Sequence, residues 1–583
     1  MTTNFLEDRV IVKLNPTASP SQIANLLAAI GVTQVTTAPQ LGIQIWKIPS
    51  GTVTQTISAY SNDSRIQYIE PDYKITLTNP QTTSPTQENL ATTTTPNDPD
   101  YPLLWGLNNT GQTGGKPDAD IDAPEAWNIQ TGNPIVVGVI DSGVDYNHPD
   151  LAANIWTNPG EIAGDGMDND SNGYIDDVRG WDFAYNDNDP MDVDGHGTHV
   201  SGTIAAKGNN SVGVIGVAWD KAKIMPLRFL DDTGSGATSN AILAIDYATA
   251  NGVKLTNNSW GGGGYSQALY DAIQTAGEQG ALFIAAAGNS SQTNEQTIPI
   301  ALPIGLPIPV PIIPITPAYP ASYDLPNIVS VASTDHNDQY SSFTNYGATS
   351  VDLAAPGSDI YSTLPGGTYG SLSGTSMASP HVAGVAALVW AQNPSWTAAQ
   401  VKNKLLETTD PINDSLRKTV SNGRVNMHKA LGGSTANGNF NLGQTQLRIA
   451  ATLSPAAPAN STETAKGETG KDPLTGGPGA DTLILPFAGS SVSPIDPITD
   501  FARSEKIGLP TQGGVAVNAP SFFSPAVNST VPTLEKGVIP VFTEANGALA
   551  ANQPQGINSD PFRVAAAHYV GVFERKPLGL EVA

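Results

Sequence analysis

Residues 135–141 have the sequence IVVGVID, an apolar run that ends in an aspartate. Three later segments also contain near-continuous apolar runs, namely KIMPLRFL (223–230), VKLTNNSW (253–260) and ALFIAAAGN (281–289). Stretches with helical periodicity lie between them, such as SNAILAIDYATA (239–250) and SQALYDAIQTAGEQ (266–279). Near-continuous apolar strands that alternate with helices are typical of a parallel sheet with helices on both faces. The pattern therefore predicts an α/β domain over residues 97–432.

The N-terminal part of the chain, residues 1–78, has a different pattern. Strand candidates lie at Arg9–Leu14, near Val32–Thr37, at Gly42–Ile48 and at Arg65–Leu77. Ser19 and Pro20 are suited to open a helix as its N-cap and first-turn residue, and a second helix is expected from Val53 to Tyr60. The resulting order, βαββαβ, predicts a small ferredoxin-like domain.

Three segments of the chain carry few periodic apolar residues. Residues 79–96 are mainly Thr, Pro, Gln and Asn, which predicts an exposed linker. Residues 433–583 are rich in Gly, Pro, Ser and Thr, with short β-like runs such as TLILPF (482–487), and we expect a β-rich tail. The segment Ile298–Pro320 has a proline every few residues, which predicts an extended loop rather than a membrane-spanning helix.

The composition excludes several classes of function. Lys and Arg number 27 against 53 Asp and Glu, so the 583-residue chain has a net charge of −26. Such a surface repels phosphates, which argues against nucleic acid and anionic membranes as partners. Cysteine is absent, which excludes disulfides, thiolate zinc sites and cysteine nucleophiles. We therefore expect bound metal ions to supply the cross-links that disulfides would otherwise provide.

Three reactive residues stand where predicted strands end or predicted helices begin. Asp141 closes the first apolar run, His196 opens HGTHVSGTIAA, and Ser376 begins the apolar helix of GTSMASPHVAGVAALVW. Functional groups collect at the carboxyl ends of strands in such sheets, and a helix N-terminus stabilises an oxyanion. Ser, His and Asp are the nucleophile, general base and orienting carboxylate of a hydrolytic triad. From spacing alone, His199 could also be the base, and each residue taken singly could be a simple cap.

The segments VIDSGVD (139–145), DGHGTHVSGTIA (194–205) and SGTSMASPHVAG (373–384) resemble the signature blocks of subtilisin-like serine proteases, the subtilases. The resemblance covers roughly 97–432 and implies a subtilisin-like catalytic domain. It implies a calcium-dependent endopeptidase that hydrolyses proteins and peptides through an acyl-enzyme on Ser376. It also implies Asp141 and His196 as the other triad members, His199 as a structural neighbour, and Asn289, in AAAGN, as the oxyanion donor.

The same resemblance extends to substrate binding and to the N-terminal domain. TGSG (233–236) and SWGG (259–262) resemble the two edges that hold an extended peptide by β-augmentation. The implied substrate-binding residues are Gly234, Ser235, Gly236, Ser259, Trp260 and Gly261. The N-terminal domain, which ends in YIEPDYKI, resembles the inhibitory propeptide of secreted subtilases, so a zymogen that cuts its own linker is expected. An unrelated small α/β domain is the alternative.

An acidic segment predicts calcium. Residues 165–194 contain ten aspartates, and Arg179 is their only basic neighbour. Their mutual repulsion would be strong without cations. Within this segment DNDSNGYIDD (168–177) resembles the first part of an EF-hand loop, but Arg179 at the twelfth position excludes a full one. The predicted ligands are Asp168, Asp170, Asn172, the Tyr174 carbonyl and Asp177. A merely solvated acidic loop is the alternative.

The resemblance implies further calcium sites. KGNNSVGVIG (207–216) is similar to a calcium loop of the family, with Asn210, the carbonyls of Val212 and Val214, and the carboxylates of Asp98 and Asp150 as ligands. Asp182, Asp187 and Asp189 resemble a second site of thermostable members, although Tyr185 replaces one of its aspartates. In the tail, GGPGADTL (476–483) fits one nonapeptide of calcium-binding β-rolls. The whole pattern is similar to the calcium-dependent proteases of cyanobacteria.

Two other functions and the cellular location stay open at this point. A non-enzymatic calcium-binding surface protein would use the β-roll-like tail as its working part. A metal-dependent hydrolase would need an open site of two histidines and a carboxylate, which the sequence does not offer. Residues 1–7 lack a basic region followed by an apolar run. Because proteins with such tails are exported without that signal, the resemblance implies a secreted or periplasmic protein, with a cytoplasmic one as the alternative.

Overall fold

The computed structural model describes residues 4–77, 96–262, 264–295, 317–414 and 417–433, with short strands between 464 and 551. The predicted linker at 79–95, the predicted loop at 298–316 and the glycine-rich part of the β-roll motif at 476–481 lie outside the described residues. The chain forms two compact units, Met1–Ala436 and Asn437–Ala583. No helix among the described residues is both long and apolar enough to cross a membrane.

The N-terminal residues form the predicted βαββαβ arrangement. The elements are β1 (Phe5–Leu14), α1 (Pro20–Ile30), β2 (Gln34–Ala38), β3 (Ile43–Lys47), α2 (Val53–Tyr60) and β4 (Ile66–Thr76). The strands are antiparallel in the order β2-β3-β1-β4. Ser19 caps α1 through a capping box with Gln22, as its side chain predicts. Val10, Val12 and Trp46 of the sheet pack with Leu26 of α1 in a separate small core.

The rest of the first unit is built on a nine-stranded sheet in the order β15-β16-β12-β11-β10-β9-β5-β7-β6. Neighbours are parallel except β15 and β16. The elements are α3 (Ala123–Trp127), β5 (Ile135–Asp141), β6 (Trp181–Asp182), α4 (His196–Ala205), β7 (Ala222–Arg228), β8 (Ser235–Ala237), α5 (Thr238–Ala250), β9 (Leu255–Asn258), α6 (Gln267–Glu278), β10 (Leu282–Ala286), β11 (Ile328–Thr334), β12 (Leu353–Pro356), β13 (Ile360–Leu364), β14 (Thr368–Leu372), α7 (Thr375–Gln392), α8 (Ala398–Glu407), β15 (Asp410–Pro411), β16 (Gly423–Arg424) and α9 (Met427–Ala430).

Both faces of this sheet are covered, as the apolar runs predict. Alternate residues of one strand point to opposite faces, and in β5 Val139 packs with α4 and α7 while Ile140 packs with α5 and α6. Helix α7 is buried along almost its whole length, as expected for a helix that is apolar all round. Strand β5 lies where the strand order reverses, with β7 on one side and β9 on the other. Ligands bind in the crevice at such a switch point.

The end of β5 and the start of α4 approach each other unusually closely. A Cβ atom on Gly197 would lie 2.1 Å from the Gly143 carbonyl oxygen and 3.1 Å from Asp141 Cβ. Only glycine fits at this contact, because no neighbouring backbone could move away without shifting β5. The small residues of HGTHVSGTIAA thus let the first turn of α4 pack directly against the strand end.

The second unit contains short strands whose backbone pairing is described. They are β17 (Thr464–Lys466), β18 (Leu474–Thr475), β19 (Thr482–Ile484), β20 (Ile498–Thr499), β21 (Lys506–Gly508), β22 (Phe542–Ala545) and β23 (Ala548–Ala551). β17, β19 and β21 form one parallel sheet, and β18 and β20 form another. The strands β17 to β21 thus alternate along the chain between two parallel sheets. The strands of parallel β-helices also stack into parallel sheets.

Replacing Gly197 tests the contact between β5 and α4. Gly197→Ala should lower the free energy of unfolding by about 1–3 kcal/mol, the usual effect of overpacking. Ser201→Ala on the same helix is the matched control, because the buried Ser201 hydroxyl has no hydrogen-bond partner among the described residues. Denaturant unfolding in a Ser376→Ala background would measure both. Equal stability of the two variants would contradict the packing argument.

Candidate active site

The first two predicted catalytic residues meet where β5 ends and α4 begins. Asp141 is the last residue of β5 and His196 the first of α4, and both side chains are almost wholly buried. His196 Nδ1 lies 2.7 Å from Asp141 Oδ1. Since the carboxylate can only accept, Nδ1 carries the proton in the neutral ring, and Nε2 is left as an acceptor. Among the described residues, Nε2 has no hydrogen-bond partner.

The two histidines of α4 have opposite electrostatic environments. Burial alone would lower the pKa of His196, but the carboxylates of Asp141, Asp194 and Asp192 outweigh it and hold that pKa above its usual range. Burial and the nearby His196 lower the pKa of His199 to about 3. His199 Nε2 contacts the carbonyl oxygens of Ile360 at 2.9 Å and Gly370 at 3.2 Å. His199 is therefore a neutral ring that ties α4 to the β13–β14 hairpin.

Ser376 and Asn289 come together at the N-terminus of α7. Asn289 Oδ1 accepts hydrogen bonds from the Thr375 N–H at 2.9 Å and the Thr375 hydroxyl at 2.8 Å. This fixes the amide so that Nδ2 lies beside Gly374, 3.2 Å from where a Cβ would stand. The Ser376 N–H borders the same point, 3.6 Å from its nitrogen. Two donors thus flank a space that the absent side chain of Gly374 leaves open.

A polar network lies beneath Ser376. Its hydroxyl donates to the Ser259 carbonyl at 3.0 Å, and the Ser259 hydroxyl donates to the Ser376 carbonyl at 2.8 Å. Asn257 donates to the Ser259 hydroxyl at 2.9 Å and accepts from Ser379 at 2.7 Å. The network joins the end of β9 to the first turn of α7. The sequence predicted Ser259 as a substrate edge but gave no sign of this second role.

The predicted substrate edges hold the last strand of the N-terminal domain. β4 pairs with β8 in antiparallel register, with Ile75 opposite Gly236 and Thr76 opposite Ser235. Thr76 also forms an antiparallel bridge with Gly261, so one extended segment has an edge on each side. The Leu77 N–H donates to the Gly234 carbonyl at 2.9 Å. This is the β-augmentation that the two glycine-rich edges predict.

Side chains fix this strand in place. Ile75 is buried in a cluster that includes Phe229 and Trp260. The ring centroids of Phe229 and Trp260 lie 4.9 Å apart. Trp260 therefore forms the floor beneath the strand. Its neighbour Gly261 pairs with the backbone of Thr76, whereas Ser259 is hydrogen-bonded to Ser376.

Two acidic residues of the N-terminal domain cap helices of the larger domain. Glu70 accepts hydrogen bonds from the Ser266 hydroxyl and the Gln267 and Ala268 N–H groups at the start of α6. Asp72 accepts from the Ser239 N–H at 2.9 Å and its hydroxyl at 2.6 Å in the first turn of α5. Both belong to YIEPDYKI, but nothing in the sequence assigned them a role. They anchor β4 at the positive ends of two helices.

A salt bridge, a hydrogen bond and apolar packing add to this interface between the two domains. Lys13 pairs with Asp271 of α6 at 2.7 Å, and the Tyr68 hydroxyl donates to the same carboxylate at 3.2 Å. Apolar residues Ile11, Leu41 and Ile43 of the small domain belong to the same core as α5 and α6.

The EF-hand-like segment forms a compact acidic loop. Ligand atoms of Glu161, Asp168 and Asp170 all lie within 4.8 Å of one another, and no other three His, Asp or Glu side chains in the described ranges do so. Sequence reasoning missed Glu161, which lies outside the EF-hand pattern and folds back onto it. Its carboxylate also accepts from the Asn169 N–H at 2.8 Å. Three carboxylates that converge in this way supply oxygen ligands of the kind calcium prefers.

Of the other residues predicted for this loop, Asp177 lies outside the converging group. The Asn172 N–H donates to two of its members, Asp168 at 3.1 Å and Asp170 at 3.0 Å. Asn172 donates to Asp170 at 3.2 Å and to Asp177 at 2.8 Å. Asp177 is buried and accepts from the Tyr247 hydroxyl at 2.5 Å. The Tyr174 ring packs edge-on against Trp181 and Tyr247, so its side chain anchors the loop to the core.

The second predicted calcium loop also brings its residues together. Asp150 accepts from the Asn210 amide at 2.7 Å and the Val214 N–H at 2.9 Å. Asp98 accepts from the Asn210 N–H at 3.2 Å, and Asn210 Oδ1 accepts from the Val212 N–H at 2.9 Å. Burial raises the pKa of both carboxyl groups, and the Asp150 carboxylate raises the pKa of Asp98 further. Two buried carboxylates from separate segments thus meet at this loop and could supply oxygen ligands to a cation.

The third predicted site, Asp182, Asp187 and Asp189, needs a correction, because these carboxylates do not converge. Asp182 is buried 3.3 Å from the Arg228 guanidinium and accepts from the Ala184 and Tyr185 N–H groups. Asp189 instead accepts from the Tyr146 hydroxyl at 2.7 Å. Arg228 thus supplies the positive charge that the sequence assigned to a metal ion.

Comparison with known proteins agrees with this arrangement. Residues 132–443 match the model of the subtilase family, and residues 2–72 match that of the fervidolysin N-terminal prodomain. The chain is 40% identical over 311 residues to thermitase from Thermoactinomyces vulgaris, which covers 53% of this chain and 93% of thermitase. It is 32% identical over 429 residues to a thermophilic serine proteinase from Bacillus sp. (strain AK1), which covers 73% of this chain and 88% of that protein.

A solved structure is similar as well. The crystal structure of fervidolysin from Fervidobacterium pennivorans, a keratinolytic enzyme related to subtilisin, matches with a TM-score of 0.58 and 26% identity. The match covers 74% of this chain and 62% of that chain. Fold and site together define a subtilisin-like serine protease that carries an N-terminal prodomain. The chain belongs to the subtilase family.

The contrast between the two histidines can be measured. In the Ser376→Ala chain, the pKa of His196 should exceed the usual value of about 6.5, whereas His199 should not titrate between pH 5 and 8. Asp141→Asn should lower the pKa of His196, because it removes the adjacent charge that favours the imidazolium. Histidine-selective NMR titration gives both values. A His199 that titrates near neutrality, or a His196 pKa unchanged by Asp141→Asn, would contradict the electrostatic assignment.

Proposed function

We propose that the protein is a calcium-dependent serine endopeptidase, made as a zymogen that processes itself, and that Asp141, His196 and Ser376 are its catalytic triad. The observation that carries the proposal is the position of β4 between the two glycine-rich edges, one of which is hydrogen-bonded to Ser376 through Ser259. Proteins and peptides are the substrates, bound as an extended strand in the same way. The backbone supplies most of these contacts, so many sequences can bind.

The chemistry follows from the groups at the site. In this mechanism the Ser376 hydroxyl turns from the Ser259 carbonyl to His196 Nε2, which has no hydrogen-bond partner among the described residues. His196 accepts the proton as Ser376 Oγ attacks the scissile carbonyl, while Asp141 stabilises the imidazolium. Asn289 Nδ2 and the Ser376 N–H donate to the oxyanion of the tetrahedral intermediate. His196 then protonates the leaving amine, and water hydrolyses the acyl-enzyme by the reverse proton path.

The triad assignment predicts which substitutions abolish turnover. Ser376→Ala and His196→Ala should each lower kcat by about 10⁶-fold, a magnitude that comes from subtilisin itself. His199→Ala, the matched control on the same helix, should act through stability and keep most of the activity per folded molecule. Peptide hydrolysis normalised to the folded fraction measures this. If His199→Ala were inactive and His196→Ala active, the two roles would be exchanged.

Self-processing follows from the register of β4. Ile75, Thr76 and Leu77 already fill the edges, so the first cut should fall C-terminal to Leu77, within the segment up to Asp98. The freed prodomain would then act as an inhibitor, because the same strand occupies the substrate edges.

Processing can be followed on the purified full chain. With calcium, the wild-type chain should lose its prodomain, and Ser376→Ala should stay intact. Ile75→Asp should slow the first cut, because it buries an unpaired carboxylate under β4. Val35→Asp at an exposed position of the same domain is the control. Mass spectrometry would identify the new N-terminus. Cleavage of purified Ser376→Ala on its own would rule out self-processing.

Calcium is proposed at the loop of Glu161, Asp168 and Asp170 and at the loop of Asp98 and Asp150. There it would offset carboxylate repulsion and supply no step of the reaction. An ion that binds only the folded state stabilises it by about 2.7 kcal/mol at a hundredfold excess over Kd. Such a requirement suits a secreted or periplasmic enzyme, since extracellular calcium modules work at Kd values of about 10⁻⁴–10⁻³ M.

Calcium removal should lower the melting temperature and the activity together. Asp168→Asn with Asp170→Asn should weaken calcium binding but leave kcat unchanged at saturating calcium. Asp187→Asn is the control, since Asp187 does not converge with these carboxylates. Calorimetric titration and thermal unfolding of Ser376→Ala avoid self-digestion. A chelated protein with an unchanged melting temperature would contradict the proposal.

A further inference from the structure

A buried carboxylate beside the triad has no role in the chemistry described so far. Asp192 is 3% exposed and lies in the segment before α4. Its Oδ1 accepts from the Ser142 hydroxyl at 3.0 Å and the Gly195 N–H at 2.9 Å. Its Oδ2 accepts from the Thr198 N–H at 2.8 Å and the Thr198 hydroxyl at 2.6 Å. Four donors therefore fix this carboxylate in both position and orientation.

Two of the four donors, both from Thr198, belong to the first turn of α4. The N-cap residue of α4 is Gly195, with φ of 103°, a conformation that favours glycine. Glycine has no side chain to cap the helix, and Asp192 does so in its place by accepting from Thr198, the third helical residue. The negative charge also faces the positive end of the helix dipole. Asp192 thereby fixes the turn from which His196 projects.

Another donor, the Ser142 hydroxyl, lies just after the end of β5. The Ser142 hydroxyl donates to Asp192 and accepts from the Gly197 N–H at 2.9 Å. The Ser142 N–H donates to Asp141 Oδ1 at 2.7 Å, the same oxygen that faces His196 Nδ1. Ser142 therefore links Asp192 to the carboxylate of Asp141 and to α4 at once.

We propose that Asp192 is a positioning residue, which acts through Ser142 and the first turn of α4 to hold Asp141 and His196 in their productive geometry. This inference rests on the proposed triad. A neutral network could cap a helix equally well, but only a carboxylate can accept from all four donors without presenting a donor of its own. The charge has a second effect, because Asp192 raises the pKa of His196 together with Asp141 and Asp194.

The titratable groups near Asp192 lie at the end of β5, on α4 and on the segment just before α4. Burial, with a smaller contribution from the Asp141 carboxylate at the end of β5, raises the pKa of Asp192 to about 6. His196 and Asp194 lie on α4 and on the segment just before it. Removing the charge of Asp192 should therefore disfavour the imidazolium form of His196 and lower its pKa. His196 acts as a base only when it is neutral. The acid limb of the pH profile of kcat/KM should therefore move to lower pH.

The test uses the processed, calcium-loaded enzyme and compares Asp192→Asn with Asp120→Asn. Asp120 is a similarly buried carboxylate that accepts from the Asn109 and Asp122 N–H groups, and among the described residues no hydrogen bond joins it to Asp141, His196 or Ser376. Asp192→Asn should lower kcat per titrated active site about 10²-fold, the size of effect that misplaced catalytic groups produce, with KM little changed. It should also lower the acid-limb pKa of kcat/KM. Asp120→Asn should lower stability and move neither quantity.

A double-mutant cycle tests the route of the effect. If Asp192 acts through Ser142, the losses of Asp192→Asn and Ser142→Ala in kcat should be far from additive. Full kcat per active site with an unshifted acid limb in Asp192→Asn would overturn the inference. So would an equal loss in Asp120→Asn. A wild-type chain without Ser376-dependent cleavage would instead overturn the proposed function, so the two failures are distinct.

Discussion

The hydrogen bond between Asp141 Oδ1 and His196 Nδ1 joins the last residue of a buried strand to the first residue of a helix. Its 2.7 Å length requires the two backbones to meet, and they do so because Gly197 has no side chain to hold them apart. The carboxylate at the end of β5 is wholly buried. Its Oδ1 accepts from the Ser142 N–H and faces His196 Nδ1, whereas its Oδ2 has no hydrogen-bond partner among the described residues. The contact between β5 and α4, the glycine at position 197 and the Asp141–His196 hydrogen bond therefore depend on one another.

The prodomain places an extended strand between the two glycine-rich edges, where we propose that substrates bind. β4 contributes backbone pairing to both edges, while Ile75 fills the apolar floor and Glu70 and Asp72 cap two helices. Backbone pairing alone would hold any peptide, but the caps and the wide apolar interface are available only to this domain. This difference accounts for a segment that binds at the cleft like a substrate and stays bound as an inhibitor. It also separates what a peptide needs for cleavage from what the prodomain needs for inhibition.

Local patterns in the sequence predicted most of the fold. The apolar runs became β5, β7, β9 and β10, and Ser19 and Pro20 marked the start of α1, because these signals depend on neighbours along the chain. The proposed triad and oxyanion residues were assigned from another signal, because their glycine-rich flanks resemble the signature blocks of the subtilases. Contacts between distant segments were not accessible. Glu161 reaches Asp168 only through a loop reversal, and Asp182 meets Arg228 because β6 and β7 are adjacent in the sheet.

Covalent labelling tests the central claim that Ser376, activated by His196 and Asp141, is the nucleophile and that β4 controls access to it. At an early time in the processing reaction, full-length and processed chains coexist in one sample. A short pulse of fluorophosphonate followed by intact-mass and peptide mass spectrometry would measure the adduct on each form. The account predicts a single adduct at Ser376 that accumulates on the processed form. An adduct at another residue, or equal labelling of both forms, would contradict it.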